Sequence, residues 1–209
     1  MMKELDKKIE LHIITDGERS LEEVIHFAPK LEPYLSYLHI REPNRTASEL
    51  YDCIQNLQQQ GFPLEKLVVN DRIDVALATG ISHVQLGYRS IPVAIISDKF
   101  PALHIGASIH SLEEASDTKA DWLLYGHIFD TTSKKGRPCR GTKLLQQLTK
   151  KVLKPVIAIG GITPQNTKEV CAAGASGIAI MSGIWQAIDP VEKVKEYAYK
   201  LEEWEDEKL

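Results

Sequence analysis

Gly126–His127–Ile128–Phe129–Asp130–Thr131–Thr132–Ser133–Lys134 opens on an imidazole and closes on hydroxyls and a cation. The stretch follows directly on the apolar run Leu123–Leu124–Tyr125, so the histidine stands where a core strand gives way to a loop. With an ordinary pKa of about 6.5, an imidazole can take and return a proton near neutral pH. Thr131, Ser133 and Lys134 then stand where they can orient a substrate or meet developing negative charge. The structural alternative for His127 is a ring that caps the strand end on a backbone carbonyl. His39 and His110 also fall near strand exits and are weaker candidates, whereas His12, His26, His83 and His104 read as structural.

Two more stretches carry a chemical signal, Ala158–Ile159–Gly160–Gly161–Ile162 and Ala179–Ile180–Met181–Ser182–Gly183–Ile184. Each ends an apolar run and leads into a helix or helical turn. Glycine lets a backbone approach an anion closely, and the N–H groups at a following helix start supply donors. Gly160, Gly161, Met181 (through its backbone) and Ser182 are therefore expected to bind a phosphate monoester. The alternative is that the glycines only make tight turns.

These residues need elements to position them. Short apolar runs at 9–15, 35–41, 66–70, 83–87, 103–109, 122–126, 156–161 and 177–182 read as strands, several apolar almost throughout, as suits strands covered on both faces. Helical patterns lie between them. Ser20 with Glu23 forms a capping-box signal, and the stretch from Ser111 repeats it; Thr163–Pro164 and Asp189–Pro190 read as N-cap and first helical turn. Gly61 and Gly174 mark helix ends. Eight strands alternating with helices predict an α/β fold, a single (β/α)8 TIM barrel over residues 1–209 with 203–209 as a frayed tail. A flavodoxin-like doubly wound sheet is the alternative, but it usually needs only five strands. One spacer, Ile91–Pro101, looks more strand-like than helical. In a barrel, binding and chemistry gather at the C-terminal ends of the strands. That adds Arg41–Glu42, Asn70–Asp71, Gly87–Tyr88–Arg89 and Ser108 to the polar exits.

Composition bounds the partners. The chain has 209 residues, 43% hydrophobic and 26% charged, with a net charge of −4, so no nucleic acid and no membrane surface is implied as a partner. The longest apolar runs fall far short of the ~20 residues of a membrane span. Three cysteines, Cys53, Cys139 and Cys171, form no CxxC pair or metal-ligand spacing and point to a reducing cytoplasm.

The motifs 38–42 (LHIRE), 68–76 (VVNDRIDVA), 83–87 (HVQLG), 104–115 (HIGASIHSLEEA), 120–136 (ADWLLYGHIFDTTSKKG), 155–166 (PVIAIGGITPQN) and 174–184 (GASGIAIMSGI) occur in this order. Together they resemble the thiamin phosphate synthase superfamily from about residue 9 to residue 200. The resemblance implies a (β/α)8 barrel, a thiazole phosphate as small-molecule ligand, and a homodimer. The synthases of that superfamily join a pyrimidine pyrophosphate to a thiazole phosphate with Mg2+. Three of their motifs are altered here. Their Q-x-R-x-K reads His39–Ile40–Arg41–Glu42–Pro43; their G-Q-x-D, whose aspartate helps hold magnesium, reads Gly87–Tyr88–Arg89–Ser90; and the proline of their G-P-x-[FY] is His127.

These departures make the chain similar to the TenI-type thiazole tautomerase branch, in which the histidine of GH[IV]F sits in the active site. The resemblance implies an isomerase with neither metal nor cofactor. His127 would carry a proton from ring C2 of a carboxylated dihydrothiazole phosphate to its exocyclic carbon, leaving an aromatic carboxythiazole phosphate. Arg41 and Ser108, with Lys134, would hold the carboxylate or the delocalised anion. Asn70, Asp71, Thr131, Ser133 and Lys134 are retained from the synthase pattern and keep a Mg2+-dependent synthase open as the second reading. A non-catalytic regulator with a thiazole-phosphate pocket is the third. Read locally, Asp71 is as readily a helix N-cap beside Asn70. The segment 133–141 is a lid candidate.

Overall fold

A computed structural model describes residues 8–131, 134 and 136–207. The elements alternate as β1 (Glu10–Ile14), α1 (Leu21–Leu31), β2 (Tyr37–Ile40), α2 (Ala47–Gln59), β3 (Leu67–Asn70), α3 (Ile73–Thr79), β4 (His83–Leu86) and α4 (Val93–Lys99). They continue as β5 (His104–Ile109), α5 (Leu112–Asp117), β6 (Trp122–Gly126), α6 (Gly141–Thr149), β7 (Val156–Ile159), α7 (Thr167–Ala172), β8 (Gly177–Ile180), α8 (Ser182–Trp185) and α9 (Pro190–Asp206). The strands pair in sequence order, all parallel, and β8 closes on β1. The expected (β/α)8 TIM barrel is the fold.

Strand alternation divides each strand between two environments. Leu11 and Ile13 of β1 join Leu38, Val69, Val84, Ile105, Leu123, Ala158 and Ile178 in the large apolar layer under the helices. The opposite face points along the barrel axis. There, Ile14, Leu124, Ile157 and Ala179 form a small apolar cluster on β1 and β6–β8. The β2–β5 side of the same interior is polar: His39, Asn70, Gln85 and Ser108 occupy it, and each is bonded to a neighbour, as burial demands. The interior is therefore apolar on one side and hydrogen-bonded on the other.

Local chemistry explains most element boundaries. Ser20 and Thr46 each close a capping box on α1 and α2, and the Asp189 carboxylate accepts from the N–H groups of Val191 and Glu192 to open α9. Three expectations need correction. Residues 93–99 are helical, with Pro92 as N-cap and only Ile96 of the Ile95–Ile96 pair buried; a parallel β4–β5 step needs a crossover, which a further strand cannot supply. Helix α7 starts at Thr167, not at Pro164, because the Asn166 side chain accepts from Thr163 N–H and builds a turn first. The C-terminal residues 203–206 are not frayed: they continue α9, and Ile9 N–H donates to the Glu205 carboxylate at 2.6 Å.

Cys53 is buried, and burial pushes its thiol up to about 12, which removes it as a nucleophile. Among the described residues no helix is long and apolar enough to cross a membrane.

Candidate active site

The two glycine-bearing exits lie side by side. Ile159 pairs with Ala179, so the same register carries Gly161 past the end of β7 beside Met181 past the end of β8. Gly160 (φ +99°) and Gly161 (φ +67°) are left-handed, and both pack backbone to backbone against the segment after β6. A Cβ on Gly160 would strike the Cα of His127 at 2.7 Å, and one on Gly161 would meet the Phe129 carbonyl oxygen at 2.7 Å. Their carbonyls are committed: Phe129 N–H donates to Gly160 O, and the Asn166 amide to Gly161 O, both at 3.0 Å. At β8, the first bonds of α8 come from Ile184 and Trp185 to Met181 O, so the N–H groups of Ser182 and Gly183 precede the helix's own ladder.

Both exits are held from outside. Tyr197 of α9 donates its hydroxyl to Ile162 O at 3.0 Å, and a Cβ on Gly183 would lie 2.9 Å from that same hydroxyl oxygen. Trp185 donates its indole N–H to Ile14 O at 2.8 Å. Arg19 donates to Trp185 O at 2.5 Å and to Ala187 O at 3.3 Å. Tyr197, Trp185 and Arg19 have no signal in the local sequence, because each acts on a carbonyl far away in the chain.

The loop after β6 is clasped at its neck. Arg140 N–H donates to His127 O and Gly141 N–H to Ile128 O, each at 2.9 Å, while the Arg140 guanidinium donates to Gly126 O at 2.8 Å and covers the Tyr125 ring. His127, half-buried, joins this clasp: its Nε2 lies 3.2 Å from Arg137 O, where an N–H can donate. Lys134 is exposed, with its N–H on Thr131 O at 3.1 Å. Ser133 lies outside the described residues.

Across the barrel stand the exits of β2–β5. Arg41, half-buried just past β2, donates its N–H to the Thr15 hydroxyl at 2.8 Å. Beside it Glu42 is buried, and burial raises its carboxyl above the usual range. Asp71 adopts φ +62°, the one left-handed non-glycine among the described residues. It is not the N-cap of α3, a position taken by Arg72; its carboxylate instead accepts the hydroxyl proton of Ser90. Ser90 also accepts Gly87 N–H at 2.7 Å, so one serine ties the β3 and β4 exits together. Ser108 accepts from the Gln85 amide at 3.2 Å. His39 is fully buried, with Nδ1 3.3 Å from the Asn70 amide oxygen and Nε2 2.9 Å from Nδ1 of His12. Burial, and then the neighbouring His12, hold its pKa well below the ordinary value, so it stands neutral. His110 is exposed and pairs with Glu114 on the same turn.

The family model for thiamine monophosphate synthase matches residues 11–184. The chain belongs to that family. The thiamine-phosphate synthase of Pyrococcus furiosus is 36% identical over 203 residues, covering 95% of this chain and 97% of the relative. That of Archaeoglobus fulgidus is 33% identical over 201 residues, covering 93% and 94%. The solved structure of a thiamine phosphate pyrophosphorylase from Pyrococcus furiosus superposes with a TM-score of 0.80 at 32% identity, covering 95% of this chain and 98% of that one. Membership of the thiamine monophosphate synthase family places the chain among the enzymes of thiamine biosynthesis.

The expectation of a thiazole tautomerase is thereby corrected. The relatives that share nearly the whole chain carry the name thiamine-phosphate synthase. Histidine in place of proline at position 127 gave the isomerase reading its weight, and the structure gives that imidazole a different occupation, on the Arg137 carbonyl.

Proposed function

We propose that the chain is a synthase that joins a thiazole phosphate to a pyrimidine carried as its diphosphate ester. The single observation that carries the reading is the near full-length match to thiamine-phosphate synthases at 36% identity. The adjacent β7 and β8 exits agree with it.

In this reading Gly160, Gly161, Met181 and Ser182 seat the phosphate monoester through backbone N–H groups and one hydroxyl. Exits β2 and β6 stand opposite each other in an eight-stranded ring, so Arg41 and Lys134 approach the diphosphate from two sides. The chemistry is a displacement. The thiazole ring nitrogen attacks the methylene carbon of the pyrimidine with its lone pair, the C–N bond forms, the C–O bond breaks, and diphosphate leaves. The ring nitrogen carries no proton, so no base is needed at this step. The cost lies in the negative charge gathering on the leaving group, which fixed cations offset. Ser108 and Asn70 line the interior beneath the reacting groups. Thr131 opens the loop that carries Lys134.

The family implies Mg2+, which is commonly held by one or two carboxylates plus substrate phosphates. Asp71 offers one carboxylate, and Ser90 bonds to it from the place where the synthase motif has a second. Among the described residues no group of three or more His, Cys, Asp or Glu side chains is placed to hold a metal. Asp71 thus could supply one hard oxygen ligand, and the substrate's phosphate oxygens would complete the shell of a bound Mg2+, which would offset charge on the leaving diphosphate; no step is routed through it.

Purified protein with both substrates, with and without Mg2+, tests the reading. Release of diphosphate together with the coupled thiazolium product is expected. A protein that binds the thiazole phosphate yet forms no coupled product under either condition would sink the proposal.

A further inference from the structure

The barrel has a second opening, at the N-terminal ends of its strands, the end opposite the exits described above. Tyr37, His83, His104 and Trp122 each begin a strand, and Asp121 immediately precedes one. With Glu10 they surround a cavity of about 260 Å3. Ligand pockets usually start at about 300 Å3, so this one suits a molecule of one or two rings.

The walls are aromatic and continuous. Ring centroids run 4.9 Å from His12 to Tyr37, 5.4 Å from Tyr37 to His83 and 5.0 Å from His83 to His104, the last pair stacked. Trp122 extends the belt, 6.1 Å from His83. The indole is fixed before any ligand arrives: its N–H donates to Gln85 at 3.1 Å, and the absence of a side chain at Gly106 lets it lie against β5, where a Cβ would strike both the indole and Gln85.

The rim is acidic. Glu10 accepts from or pairs with His12 at 3.1 Å, and Asp121 accepts Ile105 N–H at 2.7 Å. Among the described residues no lysine or arginine lines the cavity. Burial first, and His104 next, lower the pKa of His83 below the ordinary imidazole value. Among the described residues an anion would meet two carboxylates and neither lysine nor arginine, which argues against a second phosphate site. A metal ion is disfavoured too, since no three ligating side chains converge among the described residues. What remains is a ligand that stacks flat against rings and carries positive charge.

We infer that the N-terminal mouth is a binding site for a planar aromatic cation, stacked against the Tyr37–His83–Trp122 belt with its charge toward Glu10 and Asp121. Thiazolium and protonated aminopyrimidine rings belong to that class. The inference does not depend on which reaction the opposite mouth carries out.

Benzamidinium, benzamide and benzoate share one shape and differ in charge, and the indole N–H resonances of 15N-labelled protein report where each binds. Benzamidinium is expected to shift the Trp122 resonance saturably while those of Trp185 and Trp204 stay in place. Benzamide is expected to bind at least tenfold more weakly, and benzoate not at all. The double variant Glu10→Gln/Asp121→Asn should bind benzamidinium no better than benzamide. Asp121→Asn alone keeps an oxygen acceptor for Ile105 and should give an intermediate loss, and unmoved Trp185 and Trp204 resonances show that either variant is folded. Equal binding of benzamidinium and benzamide, a double variant that binds like the parent, or no saturable shift at Trp122 would each overturn the inference.

Discussion

An imidazole whose Nε2 meets a carbonyl 3.2 Å away has one nitrogen committed to holding a loop. If His127 acts only there, its removal loosens the segment that carries Lys134 and leaves the bond-making step alone. His127→Ala is then expected to raise KM for the diphosphate substrate by roughly tenfold or less with little change in kcat. Loss of a general acid–base group costs about 10²–10⁴ in rate, so a kcat loss of that size, with a flattened pH profile, would restore a proton-carrying role. Ser90 poses the complementary question. Its hydroxyl bonds to Asp71, whereas a carboxylate there would give magnesium a pair of hard oxygens. Ser90→Asp is expected to lower the Mg2+ concentration for half-maximal coupling on the order of tenfold, since ligand charge count sets such affinities. An unchanged Mg2+ titration would show that this position does not govern metal dependence.

Among the elements, the exits of β6 and β7 are locked together by glycine. Gly161 combines a left-handed φ of +67° with backbone oxygens where a Cβ would go. Gly161→Ala should cost about 1–3 kcal/mol from the backbone conformation alone. Thermal unfolding should fall by several degrees, at about 2–4 °C per kcal/mol for a domain of this size. Thiazole-phosphate affinity should fall with it, and a variant with parental Tm and parental affinity would refute the role given to this turn. This pair of glycines was legible in the sequence because two glycines ending an apolar run constrain the backbone locally. The caps at Ser20 and Asp189 were legible for the same reason, each bond spanning two or three residues. The start of α7 was not, since the Asn166 side chain competes locally with a Thr163–Pro164 cap. Nor was the helix at Val93–Lys99, where the β-branched run suggests a strand and only the parallel β4–β5 connection settles the matter. Within the site, the Tyr197–Ile162 bond joins residues 35 apart, and the Ser90–Asp71 bond joins residues 19 apart. Both depend on how neighbouring barrel elements pack rather than on any nearby sequence pattern. The altered motif at His127 was visible, but a residue type names the chemistry available, not the partner that the fold supplies.

For the molecule as a whole, the polar half of the barrel interior sets a limit on acid stability. His39 is fully buried between His12 and Asn70, and desolvation holds its folded pKa well below 6.5. In the unfolded chain the same ring titrates near ~6.5. Above that pH both states carry a neutral ring and the group has no effect on stability. As pH falls below it, the unfolded state takes up a proton that the folded state refuses, so stability is lost progressively until the folded pKa is reached. The expected slope from this one residue is about 1.4 kcal/mol per pH unit. His83, half-buried, shifts in the same direction for the same cause and steepens the fall. Glutamine is the residue that the synthase motif places at position 39, and it keeps a donor and an acceptor without a titrating ring. Urea unfolding of the parent and of His39→Gln between pH 8 and pH 5 separates the contributions. The parent should lose stability below about pH 6.5, and the variant should lose less by roughly the His39 share while matching the parent's slope above pH 7. Parallel curves over the whole range would mean that His39 accepts its proton in the folded barrel, and that the polar side of the interior tolerates a charge which its burial should forbid.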